Sequence, residues 1–396
     1  GKDGVVRGSY ITLAGQTAPS PGITLMHYGL EINRNCHDIL IQHVRIRPGD
    51  TSVGGRLADR WTRDEGALYS HPLVNKPNVG WGHGIGVTWN GQPLKQSETL
   101  EPNTWWWEDR TLWVNVGEDP AKGELIWLPS KTGISDPLEL EGSRGEGDVA
   151  PHDIVIDHCS FSWGGDMNVK TNANNLTFTH NISSEALHHP RHPKGPHSKG
   201  FLVEANNGPE TSHNTFFARN LLAHNHDRNP RHANNEMVIV NNLIYDVRHG
   251  PQIEDGRRKT GRLLSTVMGN YIHETESTQY ALGIFFGAKP ESRIYLGPDN
   301  FYGGKVQTDP WNSEGKTSIV IQRWFGGKHA DTEVPPTNRA DKPPIWVDGC
   351  EVLTAVEARA YVLEHAGARP ADRDPVDARI VRQVRNDTHH GFIASQ

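Results

Sequence analysis

The sequence predicts an all-β chain wound as a right-handed parallel β-helix, and three observations carry that expectation. Short runs of alternating or β-branched apolar residues recur, each followed by Asn or another turn-former: HDILIQHVRIRPGD (37–50), HDIVIDHCSFSW (152–163), NNLTFTHNISSEAL (174–187), SHNTFFARNLLAHN (212–225), NNEMVIVNNLIYD (234–246) and RLLSTVMGNYIHE (262–274). Asn181, Asn220, Asn242, Asn270 and Asn300 fall at the same place in successive units, at gaps of 39, 22, 28 and 30 residues. Variable gaps around a fixed internal pattern describe a solenoid whose coils carry loops of unequal length, and stacked Asn side chains can hydrogen-bond along its axis. A β-sandwich, the competing architecture, would space its strands by about 8–12 residues.

Bulk composition agrees. With 41 Gly, 26 Pro and only 4 Met in 396 residues the chain is turn-rich, and no apolar run approaches the roughly 18 residues of a membrane span. A net charge of −7 argues against a nucleic-acid partner, which would require an extended basic surface. Three cysteines, Cys36, Cys159 and Cys350, cannot all pair, and Cys159 in an alternating strand reads as a buried thiol, so no disulfide framework is expected. The first residue is Gly, so any secretion leader would already have been removed.

Taken in order, a β-helix domain is expected over 1–350, interrupted by an inserted β subdomain at about 54–131. The stretch 51–131 holds eight of the twelve tryptophans: Trp61, Trp81, Trp89, Trp105, Trp106, Trp107, Trp113 and Trp127. Within it TWWWEDRTLWVNV (104–116) reads as a hairpin turning near Glu108 and Asp109. The cluster is expected to form the insertion's own small core, with a sugar-stacking platform as the alternative. Residues 301–342, rich in Gly, Pro and charge, predict a long loop or irregular coil. Helical periodicity follows at 354–364 and 374–384, with Thr354 and Asp374 as N-caps and Pro375 in the first turn. Residues 351–396 are therefore expected to form a C-terminal helical cap packed on the solenoid and covering an open strand edge at its end.

Positive charge is concentrated in one place. HHPRHPKGPHSK (188–199) contains Arg191, Lys194, Lys199 and four histidines with no acid, and HDRNPRH (226–232) follows. Such a patch on an acidic protein suits local capture of an anionic substrate.

At IDHCSFSWGGD (156–166), HPKGPH (192–197) and RNPR (228–231) the sequence resembles the pectate lyases of polysaccharide lyase family 1, in their bacterial branch. YITLAGQTAP (10–19), VRIRPGD (44–50), SEALHHPRHPKGPH (184–197), HNHDRNPR (224–231), VNNLIYD (240–246) and DPVDARIVRQV (374–384) match in the same order, covering nearly the whole chain apart from 51–131. The resemblance implies a secreted or periplasmic enzyme, expected as a monomer, that cleaves an acidic polysaccharide by β-elimination with Ca²⁺ and an arginine base. It further implies another coil before Gly1.

Arg228, the first residue of Arg-Asn-Pro, matches the family's catalytic arginine, and Lys194 matches its substrate-binding lysine. Arg231 is placed to hold a carboxylate, although the family's second arginine, five residues after the first, is here Ala233. His192 and His197 are expected either as structural histidines or as groups on the substrate, and a histidine base stays open as a variant. The resemblance puts the metal on Asp136 and Asp166, with Asn168 adding an oxygen; the family's further acid falls on Ser162. Asp157 is read as scaffold. Polygalacturonate is the leading substrate. A lyase on another polyuronate such as glucuronan or alginate, a hydrolase with paired carboxylates at Asp157 and Asp166, and a noncatalytic β-helix binding module are the alternatives.

Overall fold

A computed structural model describes residues 4–49, 55–73, 77, 86–127, 136–140, 147–188, 196–204, 212–254, 262–287, 289–311, 319–325, 328–389 and 391–394. Three sheets run the length of the molecule, with ten, eight and nine strands among the described residues, and within each the coil strands pair in parallel with the strand one coil away. The chain is a parallel β-helix. One coil reads Asn174–Thr179, Ile182–Ser184, Lys199–Glu204; the next reads Thr215–Ala218, Leu221–Ala223, Arg231–Ala233; the third reads Glu236–Val240, Leu243–Tyr245, Gln252–Glu254.

Alternation in the first strand of each coil sets the core. Ile41, Ile156, Phe178, Phe217, Ile239, Val267 and Leu296 are register partners in consecutive coils and all are buried. The Phe178 and Phe217 rings stack at 5.4 Å with 1° between planes.

Between the first and second strands the chain turns in two residues, the first in the left-handed region at His158, His180, Arg219 and Asn241. The second residue is the repeated Asn. Backbone N–H and side-chain Nδ2 of Asn181 both donate to Asn220 Oδ1 (2.9 and 3.1 Å), and the same double bond recurs from Asn220 to Asn242, Asn242 to Asn270, and Asn270 to Asn300. The remaining Nδ2 hydrogen of each donates to a strand carbonyl, of Ile156, Phe178, Phe217, Ile239 and Val267 in turn. Every buried polar atom of the ladder is thereby satisfied. At its near end Cys159 takes the Asn position: its N–H donates to Asn181 Oδ1 at 2.7 Å, and its buried thiol contacts the Ile41 carbonyl.

The insertion forms two small sheets around a core of its own, with Trp89, Trp105, Leu112, Val114 and Leu125 buried and Trp61, Trp107 and Trp127 packed against them. Its hairpin pairs Glu108 with Thr111, so the turn is Asp109–Arg110, one residue later than expected, and both adopt positive φ (43° and 62°) as the tight hairpin turn requires.

Two helices, α1 (Ala355–His365) and α2 (Pro375–Arg385), carry the expected caps. Thr354 forms a capping box with Glu357, and Asp374 accepts from Asp377 N–H. Their placement differs from the expectation. They lie along the solenoid's flank, where Val362, Leu363, Ala366, Ile380, Val381 and Val384 pack on the outward side chains Ile182, Leu221, Ala223, Leu243 and Tyr245 of the second strands. This explains why those strands are buried on both faces, unlike the alternating first strands. An ionic cluster pins the flank: Arg47 pairs with Asp374 and, at 2.7 Å, with Asp377, which also accepts from Arg45 Nε (3.4 Å) and Ser160 Oγ (2.7 Å).

Two substitutions test this account. Asn242→Ala strips an acceptor from Asn220 and a donor from Asn270 in a dry interior, and should cost about 3 kcal/mol. Asp377→Asn leaves two buried arginines undercompensated and should cost about 3–5 kcal/mol. Urea midpoints at unchanged m-value measure both; a shift below about 0.5 kcal/mol would show that neither network matters to stability.

Candidate active site

The first turn is held to two residues in the coils that carry Cys159, Asn181, Asn220, Asn242 and Asn270, whereas the other turns of those coils vary in length. The connection from the second strand into the third is where the insertion springs between Arg47 and Leu138, and where the basic stretch 188–199 and the RNPR segment lie. Strand register then stacks the ends of these turns: Met167 pairs with Lys199, and Lys199 bridges to Asp227. Asp136, Asp166, Lys199 and Arg228 thus fall on one wall in successive coils.

The wall is rigid beneath. Arg228 has φ 61° and is followed by a cis Asn229–Pro230 bond. Its carbonyl accepts from Phe201 N–H at 2.7 Å, while Asn229 accepts from Asn225 Nδ2 and donates to the His249 carbonyl. Gly200 is required opposite, since a Cβ there would come within 2.6 Å of Asn229 Oδ1 and 2.9 Å of the Arg228 carbonyl.

Two acids meet at one end. Asp136 Oδ1 accepts from the backbone N–H groups of Asp166 (3.3 Å) and Met167 (2.9 Å). Burial, and next the charge of Asp166, push the Asp136 carboxyl well above the usual carboxylate range. Asp166 Oδ1 in turn lies 3.3 Å from His197 Nε2 and 3.4 Å from Lys199 Nζ. Burial and the neighbouring Arg228 bring the Lys199 ammonium down to about 8. Two carboxylates offering hard oxygens suit a divalent cation of the calcium class, which would relieve their repulsion and take its other ligands from substrate and water.

Arg228 is half-buried. Its Nη1 touches Met167 Sδ at 3.7 Å, and among the described residues its buried Nε has no hydrogen-bond partner and no carboxylate hydrogen-bonds to it. The adjacent Asp227 does not pair with it but accepts from His249 Nδ1 (3.0 Å) and Gln252 Nε2 (2.7 Å). Burial pushes Asp227 up, yet the His249 bond and the charges of His249, Arg228 and Arg231 outweigh it and hold the carboxyl below its ordinary range. His226, desolvated and facing His249 and His188, is lowered to about 4 and stays neutral. His188 and His226 are both flanked by Phe392 of the C-terminal segment.

Several expected residues stand elsewhere. Asn168 is fully buried; its oxygen accepts from Gly164 N–H at 3.1 Å and its Nδ2 is spent on Ser183, Ser184 and Asn225, so it is a scaffold residue and not a metal ligand. Ser162 is likewise buried against Ser184 Oγ. Arg231 is committed to Glu254 one coil on. Lys194 and His192 lie outside the described residues. Asp157 sits at the opposite turn, accepting from Gln42 and facing His158 and His180 Nδ1 at 2.8 and 3.2 Å. Those two rings stack at 4.5 Å with 8° between planes, so their in-plane lone pairs cannot converge on one ion. With Asp157 on a different turn from Asp166, that pair cannot serve as hydrolytic carboxylates. Sequence reasoning missed Lys199 as a member of the wall, and with it His249, Gln252, Glu254 and Tyr280; Lys199 and Gln252 open their third strands, His249 and Tyr280 come just before theirs, and Glu254 closes its own.

No family model matches the chain. Among curated proteins it is similar to one named probable pectate lyase C from Aspergillus flavus, 27% identical over 256 residues, covering 61% of this chain and 51% of that protein. Its namesake from Aspergillus oryzae is 27% identical over 250 residues, with the same shares covered. The chain therefore spans about half the length of the curated relatives it matches. Among solved structures, a variant pectate lyase from Xanthomonas campestris aligns over 89% of this chain and 78% of that one, at 12% identity and TM-score 0.43. The major allergen from cedar pollen aligns over 86% and 69%, at 11% identity and TM-score 0.39.

The Asp136 environment makes a prediction with a defined sign. A carboxyl raised on folding destabilises the protein once pH exceeds its unfolded value near 4, so Asp136→Asn, which keeps the acceptor oxygen, should stabilise the metal-free chain by about 1 kcal/mol at pH 7. The gain should vanish by about pH 3, below the unfolded value, where the carboxyl is neutral in both folded and unfolded chains. Equal urea midpoints at pH 7 would contradict the raised carboxyl.

Proposed function

We propose that this chain, which belongs to a pectate-lyase-like family, is a polysaccharide lyase that cleaves a uronate-containing polymer, pectate foremost, by β-elimination. The observation that carries this reading is the half-buried Arg228 guanidinium, without an acidic partner among the described residues, on the same wall as Lys199 and the acid pair Asp136 and Asp166. A polymer of this size is met outside the cytoplasm, so a secreted or periplasmic enzyme follows from the substrate. No helix among the described residues is long and apolar enough to cross a membrane.

Elimination removes the C5 proton α to the uronate carboxyl, forms the C4–C5 double bond, and expels the C4 oxygen with its electron pair. Asp136 and Asp166 would hold Ca²⁺, which when bound neutralises the uronate carboxylate and so acidifies the C5 proton. Lys199 and His197, both at Asp166, steady the same carboxylate from the protein side. Arg228, fixed by its backbone bonds, takes the C5 proton. An arginine is a reluctant base because it seldom releases its own proton. The lowered Lys199 therefore favours a second reading in which Lys199 is the base and Arg228 the carboxylate clamp.

The two readings part on pH. With Lys199 as clamp, loss of its charge above about pH 8 should raise KM while kcat holds; with Lys199 as base, kcat should climb through about pH 8 as the neutral amine appears. Arg228→Ala should lower kcat at least about 10³-fold in either case, with circular dichroism unchanged. Chelation, or Asp166→Asn, should abolish the rise in absorbance from unsaturated uronide on polygalacturonate, and excess Ca²⁺ should rescue only the chelated enzyme. No rise on polygalacturonate, glucuronan or alginate would refute the lyase.

A further inference from the structure

The segment that follows α2 crosses from the flank to the wall. Asp387 accepts from Tyr245 Oη at 3.1 Å and lies 2.9 Å from His273 Nε2. A few residues on, the Phe392 ring sits 5.7 Å from the His188 ring and 5.1 Å from that of His226, and the Ile393 carbonyl accepts from His188 N–H at 2.8 Å. We propose that Phe392 is a positioning residue for the elimination: with Ile393 it straps the root of the basic turn, and through it His197 and Asp166, to the coil that carries Arg228. The inference rests on the polysaccharide-lyase reading and adds to it a residue of the C-terminal segment on which the geometry of the wall depends.

The contacts form one chain. His188 opens the basic turn and is bonded through both backbone groups, its N–H to Ile393 and its carbonyl to His197 N–H at 2.9 Å, which closes the turn at its root. His197, 5% exposed, brings Nε2 to 3.3 Å from Asp166 Oδ1. On the other side the His226 ring stacks on His188 at 5.1 Å with 24° between planes, and its backbone N–H donates to Ser198 Oγ at 3.1 Å. Ser198 immediately precedes Lys199, and His226 stands two residues before Arg228. Phe392, set against both histidine rings, therefore braces the two coils from which His197, Lys199 and Arg228 are presented.

These contacts serve the wall and not the core. Phe392 and Ile393 are half-buried and belong to none of the hydrophobic clusters among the described residues, whereas α2 buries Ile380, Val381 and Val384 against the solenoid. Removing the Phe392 ring thus takes little from the fold and loosens the root of the turn. Affinity falls in proportion to the fraction of molecules that hold the binding-competent arrangement, here His197 against Asp166. Arg228 keeps its own carbonyl bond to Phe201 N–H, so the step after binding is spared.

The test is Phe392→Ala in the full chain, assayed on polygalacturonate at saturating Ca²⁺ and followed by hydrogen exchange at the His188 and His197 amides. KM should rise about tenfold, as a competent fraction of about one tenth requires, while kcat stays within about twofold and the urea midpoint is unchanged. Both amides should exchange at least about tenfold faster, with those of Asn220 and Asn242 unaltered. Phe392→Tyr, which keeps the ring, should leave KM and exchange near the parent values. In an active enzyme an unchanged KM would overturn the proposal. So would a rise in KM matched by a fall in kcat and a lowered urea midpoint, which a merely structural role would give. If no uronate polymer is cleaved, the lyase reading fails and exchange decides the strap: faster exchange at His188 and His197 upholds it, and unchanged exchange refutes it. Should Phe392→Ala not fold, Phe392→Leu, which keeps bulk but loses the flat face, is measured in the same way. A rise in KM of about threefold then supports the strap, and none refutes it.

Discussion

The asparagine ladder is the constraint from which the rest follows. A side chain that both accepts from the preceding coil and donates to a strand carbonyl works only if each turn returns to the same height and the same phase, and this holds from Asn181 to Asn300. With that turn held at two residues through Asn270, the coils vary mainly elsewhere. The second-to-third-strand connection runs from four residues after Ser162 to fourteen after Ser184, and to the whole insertion between Arg47 and Leu138. Chemistry is therefore hosted where the ladder does not reach, on a base that the ladder keeps in register.

Electrostatics divides along the same line. On the flank, each charge has an opposite partner: buried Arg45 and Arg47 against Asp374 and Asp377, and the partly exposed Arg379 bidentate on buried Glu185 at 2.6 and 2.8 Å. The Arg45 and Arg47 contacts join a strand near the start of the chain to the last helix across more than 300 residues of sequence, and the Arg379 contact joins the same helix to Glu185 across 194. On the wall, matching is incomplete. Among the described residues Arg228 has no acid and Gln252 keeps an acceptor unused, and Asp136 is repelled by Asp166. Incompletely satisfied groups are costly in a folded interior, and their gathering on one face of three adjacent coils is the physical mark of a site.

Much of the fold was legible because its signals are local. Alternation within HDIVID and the recurrent Asn require neighbours only one coil away, and the caps at Thr354 and Asp374 need only the next three residues. The flank position of the helices was harder, although a signal existed: LLA at 221–223 and LIY at 243–245 are continuously apolar, which an outer face open to water would not favour. The wall itself was partly legible. Asp136, Asp166 and Arg228 could be placed from motifs, whereas Asn168, put beside the metal by the resemblance, spends its oxygen on Gly164 N–H and its Nδ2 on Ser183, Ser184 and Asn225, contacts that no motif announces. The commitment of Arg231 to Glu254 depends on a contact 23 residues away that no local pattern announces.

Lys199 shows why the last step needed coordinates. In sequence it is the final cation of a basic turn and no more conspicuous than Lys194 or Arg191. In the fold it begins a strand, so its Cα height is set by pairing with Met167, and its amine is led between Asp166 and Arg228. A lysine at the tip of the same turn would carry a full charge in water; one at its root is desolvated, and burial together with Arg228 moves its titration to about 8. The same side chain thus changes from a general attractor of anions to a group poised between clamp and base. Which of the two it becomes is decided by the strand register that the ladder enforces.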